Sequence, residues 1–180
     1  KTISLTEARE FIRNSMPFKY DHLQAEDVTF DDLSHDKIAD FLDKSAEKTD
    51  RQILRPTAIG SYKSTIRNLG IVDDFGGVLQ PTRAGFLIFA NKPPQIKRAF
   101  SRYVIRCVHY KGVSPASPII DKQDIEGTLD SQIESMLSFV LKSIPMQAKI
   151  VRTKRVDQFE YPPEAIREIV ANAVIHRDYN

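Results

Sequence analysis

Glu168, Asn172 and His176 recur at i, i+4 and i+8 near the end of a 180-residue sequence, so a helix sets them in one line. A carboxylate, an amide and an imidazole along one edge offer oxygen donors to a hard cation and a base to a proton. The same pattern is what a solvated helix edge presents, and spacing alone leaves both readings open. A second candidate set is basic. Lys63 and Arg67 share one side of a short predicted helix, with Arg51 and Arg55 before it and a predicted hairpin at 71–79 after it. Such a helix can offer cations to DNA phosphates or base edges, although Asp73 and Asp74 in the hairpin oppose that use. His22 and His109 have no partner at metal-ligand spacing, and Gly76-Gly77 lacks the Lys-Ser/Thr that completes a Walker A loop.

The line Glu168–Asn172–His176 lies within YPPEAIREIVANAVIHRDYN, residues 161–180. Two prolines open this stretch, where a missing N–H is harmless in a first helical turn. The periodicity predicts a helix from about Pro163 to about Arg177, with Ile166, Ile169, Val170, Ala173 and Val174 on one apolar arc. His176 and Arg177 then fall in its last turn, where cations suit the backbone dipole, and Asp178 can pair with Arg177. His176-Arg177-Asp178 also matches the kinase catalytic triplet in letters. No downstream Asn and no kinase-type glycine loop accompany it, so a capping role is favoured over contact with a nucleotide or partner.

The Glu-x-x-x-Asn line resembles the N box of GHKL-type ATPases. The longer phrase REIVANAVIHRDY resembles a family of bacterial proteins described as transcriptional regulators or as RecG-related ATP-dependent DNA helicases. These join an AlbA-like, Schlafen-type N-terminal domain to a GHKL-like C-terminal region. The resemblance continues upstream through LQPTRAGFLIFANKPPQ and DIEGTLDSQIESMLSFV and covers most of residues 55–180. It implies that Glu168 is the candidate catalytic residue that orients water. It implies that Glu168, Asn172 and His176 face a nucleotide, and that the Asn172 amide oxygen holds Mg²⁺. Phosphoryl transfer needs positioning more than covalent help, which suits such a set. GHKL ATPases also need an Asp-x-Gly-x-Gly segment for adenine and a glycine-rich lid. Neither lies in these residues, so no cofactor and no ATP hydrolysis are expected of this piece, and Mg-ATP is assigned to a longer parent. The leading expectation is a non-catalytic regulatory or interaction module tied to DNA binding. The alternative is part of a Mg-ATP-binding domain.

The rest of the chain supplies the frame. Net charge is +2, which excludes a globally basic nucleic-acid binder but not a local patch. The single cysteine, Cys107, sits in an apolar pattern and reads as a buried thiol, in keeping with a reducing cytoplasm. No apolar run is long enough for a membrane span, and no signal peptide opens the sequence. The first residue is Lys1 and the family pattern runs past Asn180, so the chain is expected to be an excised piece, with a protein partner or a second copy as possible company.

Predicted elements are a helix over 4–15, a loop or arm over 17–30 anchored by Tyr20 and Phe30, and a helix from Asp31–Ser34 to about Lys44 with Ile38, Phe41 and Leu42 inside. A polar connection follows over 45–56. A helix over 58–69 turns Ile59, Tyr62, Ile66 and Leu69 inward and ends at Gly70. The hairpin is followed by a buried helix 83–89 capped by Thr82. Strands are expected over 101–110, 119–126 and 149–160, with a helix over 128–143 between the second and third. Its inner residues are Leu129, Ile133, Met136, Leu137, Val140 and Leu141. If the first and third strands are neighbours, Lys97, Arg98, Arg102 and Arg106 merge with Lys149, Arg152, Lys154 and Arg155 into one basic face, partly neutralised by Asp121, Asp124 and Glu126. The fold class is α+β. A mainly helical, winged-helix-like region spans 1–93. A β-β-α-β-α region with a GHKL-like start spans 94–180 and ends in the N-box-like helix.

Overall fold

The structure, a computed structural model, describes residues 20–49, 59–151 and 154–179, with side chains over 20–47, 62–145 and 159–179. The helix expected over 4–15, Arg51 and Arg55 lie outside these residues. The fold is α+β, and the chain divides into two compact units between Asn91 and Lys92.

Unit one contains α1 (His35–Thr49), α2 (Ile59–Asn68), the hairpin β1 (Val72–Phe75) and β2 (Val78–Pro81), and α3 (Arg83–Phe89). The register is antiparallel, from Val72 opposite Pro81 to Phe75 opposite Val78. The turn residues Gly76 and Gly77 have φ of 70° and 84°, the left-handed pair that a tight hairpin turn requires. The Asp74 carboxylate accepts from the Gly77 N–H at 2.7 Å and braces this turn.

Gly70 closes α2 as expected. At φ 71° its N–H donates to Arg67 O, and the Ile71 N–H donates to Ile66 O at 3.0 Å, a Schellman arrangement. Thr82 caps α3: its hydroxyl accepts from the Gly85 N–H at 3.0 Å and donates to Gly70 O at 2.6 Å. One buried hydroxyl thereby ties the end of α2 to the start of α3. Gly85 lets α3 lie directly on the Ile71 backbone, since a Cβ there would stand 1.9 Å from Ile71 O.

The core of unit one takes Ile38, Leu42 and Ala46 from α1, Ile66 from α2, Ile71 and Val72 from the hairpin, and Phe86, Leu87 and Phe89 from α3. The segment before α1 lies along α3. Ala25 N–H donates to Pro81 O, Arg83 N–H to Leu23 O, and Ser34 N–H to Phe89 O.

Unit two begins with two single-turn helices, Pro94–Ile96 and Arg98–Phe100. The hairpin β3 (Ile105–Tyr110) and β4 (Ile119–Ile125), α4 (Leu129–Ser143), the hairpin β5 (Met146–Val151) and β6 (Lys154–Phe159), and α5 (Pro163–Ile175) follow. α4 is the middle layer. One side packs Phe139 and Met136 on Cys107, Ile125 and Ile105 of the first hairpin. Its other side packs Leu137, Ile133, Val140 and Leu141 on Ile166 and Val170 of α5. Cys107 is buried, and that burial pushes its thiol above the usual range.

Several expectations need correction. The single strand read over 149–160 belongs to the β5–β6 hairpin, with Met146 opposite Phe159 and Val151 opposite Lys154. Arg152-Thr153 between its two arms lack the usual turn residues, so the sequence does not mark the fold-back. β3 pairs with β4 and β5 with β6, so no ladder joins the two basic strands. The side chains of Lys149, Arg152, Lys154 and Arg155 lie outside the described ones.

α1 continues to Thr49, past the expected stop at Lys44, because Ala46 extends its buried stripe. Leu69 is exposed, and Thr65 takes its place beside Ile66. Phe41 is 41% exposed and meets Phe89 edge-on at 5.4 Å. The arm before α1 is anchored by Ala25, Val28 and Leu33, while Tyr20 and Phe30 are only half-buried. β3 starts at Ile105, four residues after the expected Ser101.

The close approach at Gly85 generates a sharp expectation. Gly85→Ala should destabilise the chain by about 3 kcal/mol, at the severe end of overpacking. Thr82→Ala should cost about 1–2 kcal/mol as a lost cap. Urea denaturation of both variants, read by circular dichroism, checks the order.

Candidate functional site

α5 begins as the sequence suggests, with Pro163 at its first position and Pro162 as N-cap. Ile166, Val170 and Val174 are its buried stripe. Glu168, Asn172 and His176 all stand exposed, so the structure keeps the three on one open edge. Ile169 and Ala173 do not join the core. Ile169 is 69% exposed and Ala173 is also exposed. The apolar arc is thus narrower than the periodicity suggests, because α4 covers only the sector centred on Val170. Ile175, 62% exposed, lies on the other flank of the polar line. The outward face of α5 therefore carries isoleucines on both sides of Glu168, Asn172 and His176.

The residues after α5 turn back onto the start of unit two. α5 ends at Ile175, one turn fraction before the expected Arg177, and His176 is its C-cap. Arg177 therefore leaves the helix. Its guanidinium donates to Val104 O at 3.1 Å and Arg102 O at 2.9 Å, and lies 5.8 Å from the centre of the Tyr103 ring. The Tyr179 hydroxyl donates to Val174 O at 2.7 Å, satisfying a carbonyl of the last helical turn. The Tyr103 hydroxyl donates to Tyr179 O at 2.7 Å, and the two rings meet edge-on at 5.3 Å. Burial pushes the Tyr179 phenol upward. The capping role expected of Arg177 is thus replaced by tertiary carbonyl binding.

Tyr103 is also held from the other side by residues that pattern reading passed over. Gln95 and Gln132 are buried, and each amide donates to both Tyr103 O and Gly127 O, at 2.8–3.1 Å. The Gln95 side-chain oxygen accepts from the Gly127 N–H at 2.8 Å. Gly127 has φ 115°, a conformation that favours glycine. One signal could have exposed Gln132: it falls on the inner arc of the 128–143 periodicity, where a polar residue needs partners.

In unit one, Lys63 and Arg67 are exposed on α2. Arg67 Nε donates to Asp73 at 3.0 Å, so the hairpin acid lies against the presumed recognition cation. The Asp74 N–H, and then Arg67, hold the Asp73 carboxyl below its usual range. Arg51 lies outside the described residues.

A cleft of about 250 Å³ lies beside α5, lined by Val104, Ile105, Met136, Ala173, Val174 and Arg177. It is mostly apolar, and the guanidinium of the lining residue Arg177 is already engaged by two carbonyls. Glu168 and Asn172 supply one carboxylate and one amide oxygen on the neighbouring edge. Among the described residues no group of three His, Cys, Asp or Glu is placed to hold a metal ion. Mg²⁺ in a nucleotide complex needs only one or two protein oxygens, so such a cluster is not a requirement. Among the described residues no helix is long and apolar enough to cross a membrane.

No family model matches the chain, and no curated protein matches it. Among solved structures, the crystal structure of the DIP2311 protein from Corynebacterium diphtheriae is similar, with a TM-score of 0.55 and 18% sequence identity. The match covers 100% of this chain and 32% of that one, so the chain spans about a third of that protein's length. At this identity the likeness concerns the fold alone.

Gln132→Leu should cost about 1–3 kcal/mol, because it removes one of the two donors from each of two carbonyls that keep Gln95. Tyr179→Phe should cost about 1 kcal/mol, since it removes one hydrogen bond and keeps the ring. Thermal unfolding of unit two, followed through tyrosine fluorescence, separates the two.

Proposed function

We propose that the chain acts as a non-catalytic regulatory and interaction module of a cytoplasmic bacterial transcriptional regulator, of the kind called RecG-related. The observation that carries this reading is the outward face of α5. A helix that is apolar on two sides and covered on one offers the other for contact. Ile169 and Ile175 supply the apolar part, and Glu168, Asn172 and His176 the polar part. A protein partner or another copy would be read by such a mixed surface.

DNA enters through α2 of unit one. Lys63 is exposed and Arg67 is held by Asp73. The hairpin after α2 completes an element order similar to a winged helix.

A second reading is that α5 contributes to a Mg-ATP site. It is supported by Glu168 and Asn172 standing on one open edge. In that reading the Asn172 amide oxygen would hold Mg²⁺ and Glu168 would orient water.

Two experiments decide between these. With Mg-ATP, phosphate release should stay at the buffer rate for the chain and for Glu168→Ala and Asn172→Ala alike. Mg²⁺-dependent turnover that Glu168→Ala abolishes would replace the first reading with the second. With duplex DNA, Lys63→Ala should weaken binding more than Arg67→Ala, and Asp73→Asn should tighten it several-fold by releasing Arg67. Equal affinities across the three variants would remove α2 from the DNA contact.

A further inference from the structure

The net charge of +2 conceals a separation of charge along the chain. Residues 20–49 hold nine acidic residues against three lysines. Between Asp74 and Asp121 there is no acidic residue at all, and this stretch carries seven lysines and arginines. Net charge does not reveal a run of that kind.

The structure sorts these cations. Arg106, on β3, donates to Asp124 at 2.9 and 3.3 Å, so the hairpin face is largely neutralised. In the opening segment of unit two, the Arg102 guanidinium lies 5.5 Å from the centre of the Tyr103 ring. Lys92, Arg98 and Arg102 are exposed and Lys97 half-buried, on or beside the two single-turn helices.

Their backbone is fixed. Pro94, Gln95, Phe100 and Tyr103 between them are buried, the last two at 1% exposure. Phe100 N–H donates to Lys97 O at 2.9 Å, and the Ser101 hydroxyl donates to Arg98 O at 2.9 Å. Buried anchors thus alternate with cations, and the charges project from a segment that needs little ordering on binding.

We propose that the segment Lys92–Arg102 docks on the phosphate backbone of duplex DNA without reading its sequence. Charge complementarity selects a polyanion. The aromatic residues then select among polyanions. Single strands are gripped by exposed rings on which bases stack, and here Phe100 and Tyr103 are both buried. Lipid surfaces call for an apolar wedge beside the cations, and the one large apolar side chain this segment exposes is Ile96. Arginine and lysine without stacking rings match backbone contact to a double helix. This surface belongs to unit two and does not depend on the α2 contact of unit one.

The test is fluorescence anisotropy of the whole chain with a random-sequence duplex, a single strand of equal length, and vesicles containing phosphatidylserine, over a salt series. The duplex should bind tightest. Lys92→Gln with Arg98→Gln, both at exposed positions, should weaken duplex binding several-fold. It should also reduce the salt slope by about 1.8, at about 0.9 per phosphate contact. The double variant Lys63→Ala with Arg67→Ala should leave that difference in place. An unchanged affinity and slope in the Lys92/Arg98 variant overturns the proposal even if the Lys63/Arg67 variant loses binding. Tighter binding to the single strand or to vesicles overturns it as well. Unaltered far-ultraviolet circular dichroism establishes that the variants remain folded.

Discussion

Tyr103 is the point on which unit two depends. Its ring is 1% exposed, its hydroxyl donates to Tyr179 O, and its carbonyl accepts from Gln95 and Gln132. A buried phenol and a buried carbonyl each carry a desolvation cost unless partnered. The partners come from four places: the first single-turn helix, α4, the tail after α5 and the Gly127 turn that the same amides bind. Loss of the tail orphans the Tyr103 hydroxyl and loss of Gln95 orphans the Gly127 N–H, while the two carbonyls are shared by Gln95 and Gln132. The apolar layers on either side of α4 supply most of the burial, and this polar knot fixes their register. α5 thereby has a defined angle, and its outward edge a defined direction.

Unit one relies on a close backbone approach instead. Thr82 and Gly85 bring α3 onto the Ile71 backbone, and the Thr82 hydroxyl links two helix ends through Gly70. The consequence for α2 is that the Arg67–Asp73 pair follows directly from how tightly the hairpin is drawn to the helix end. Exposed pairs of this kind add little stability. Their effect here is on availability, since a cation facing a carboxylate is a poorer phosphate ligand than one facing water.

Local signals were legible where local physics decides. Thr82 and the apolar run after it gave α3, Gly70 gave the end of α2, and the Gly76-Gly77 pair gave the hairpin turn. Helical periodicity gave α4 and α5 but not their buried widths. Ile169 and Ala173 fit the apolar arc in sequence, yet only α4 decides how much of that arc is covered. Likewise 149–160 read as one strand because alternation does not mark a fold-back when the turn lacks glycine or asparagine. The tail of α5 was read as a cap because the dipole argument is local, whereas Arg177 binds carbonyls 73 and 75 residues away. Glu168, Asn172 and His176 were legible as a line, because i and i+4 spacing needs no tertiary knowledge.

The bond between Tyr103 and Tyr179 joins residues 76 apart in the chain. During synthesis at roughly 5–20 residues per second, the ribosome therefore takes on the order of 4–15 s to add the second partner after the first. Over that interval the β3–β4 hairpin and α4 can assemble from local contacts, while the Tyr103 hydroxyl must stay hydrated. Closure around Tyr103 is thus tied to the emergence of Tyr179 from the ribosome. A nascent chain paused before Pro163 presents an open, apolar α4 flank to chaperones, and Ile166 and Val170 of α5 end that exposure.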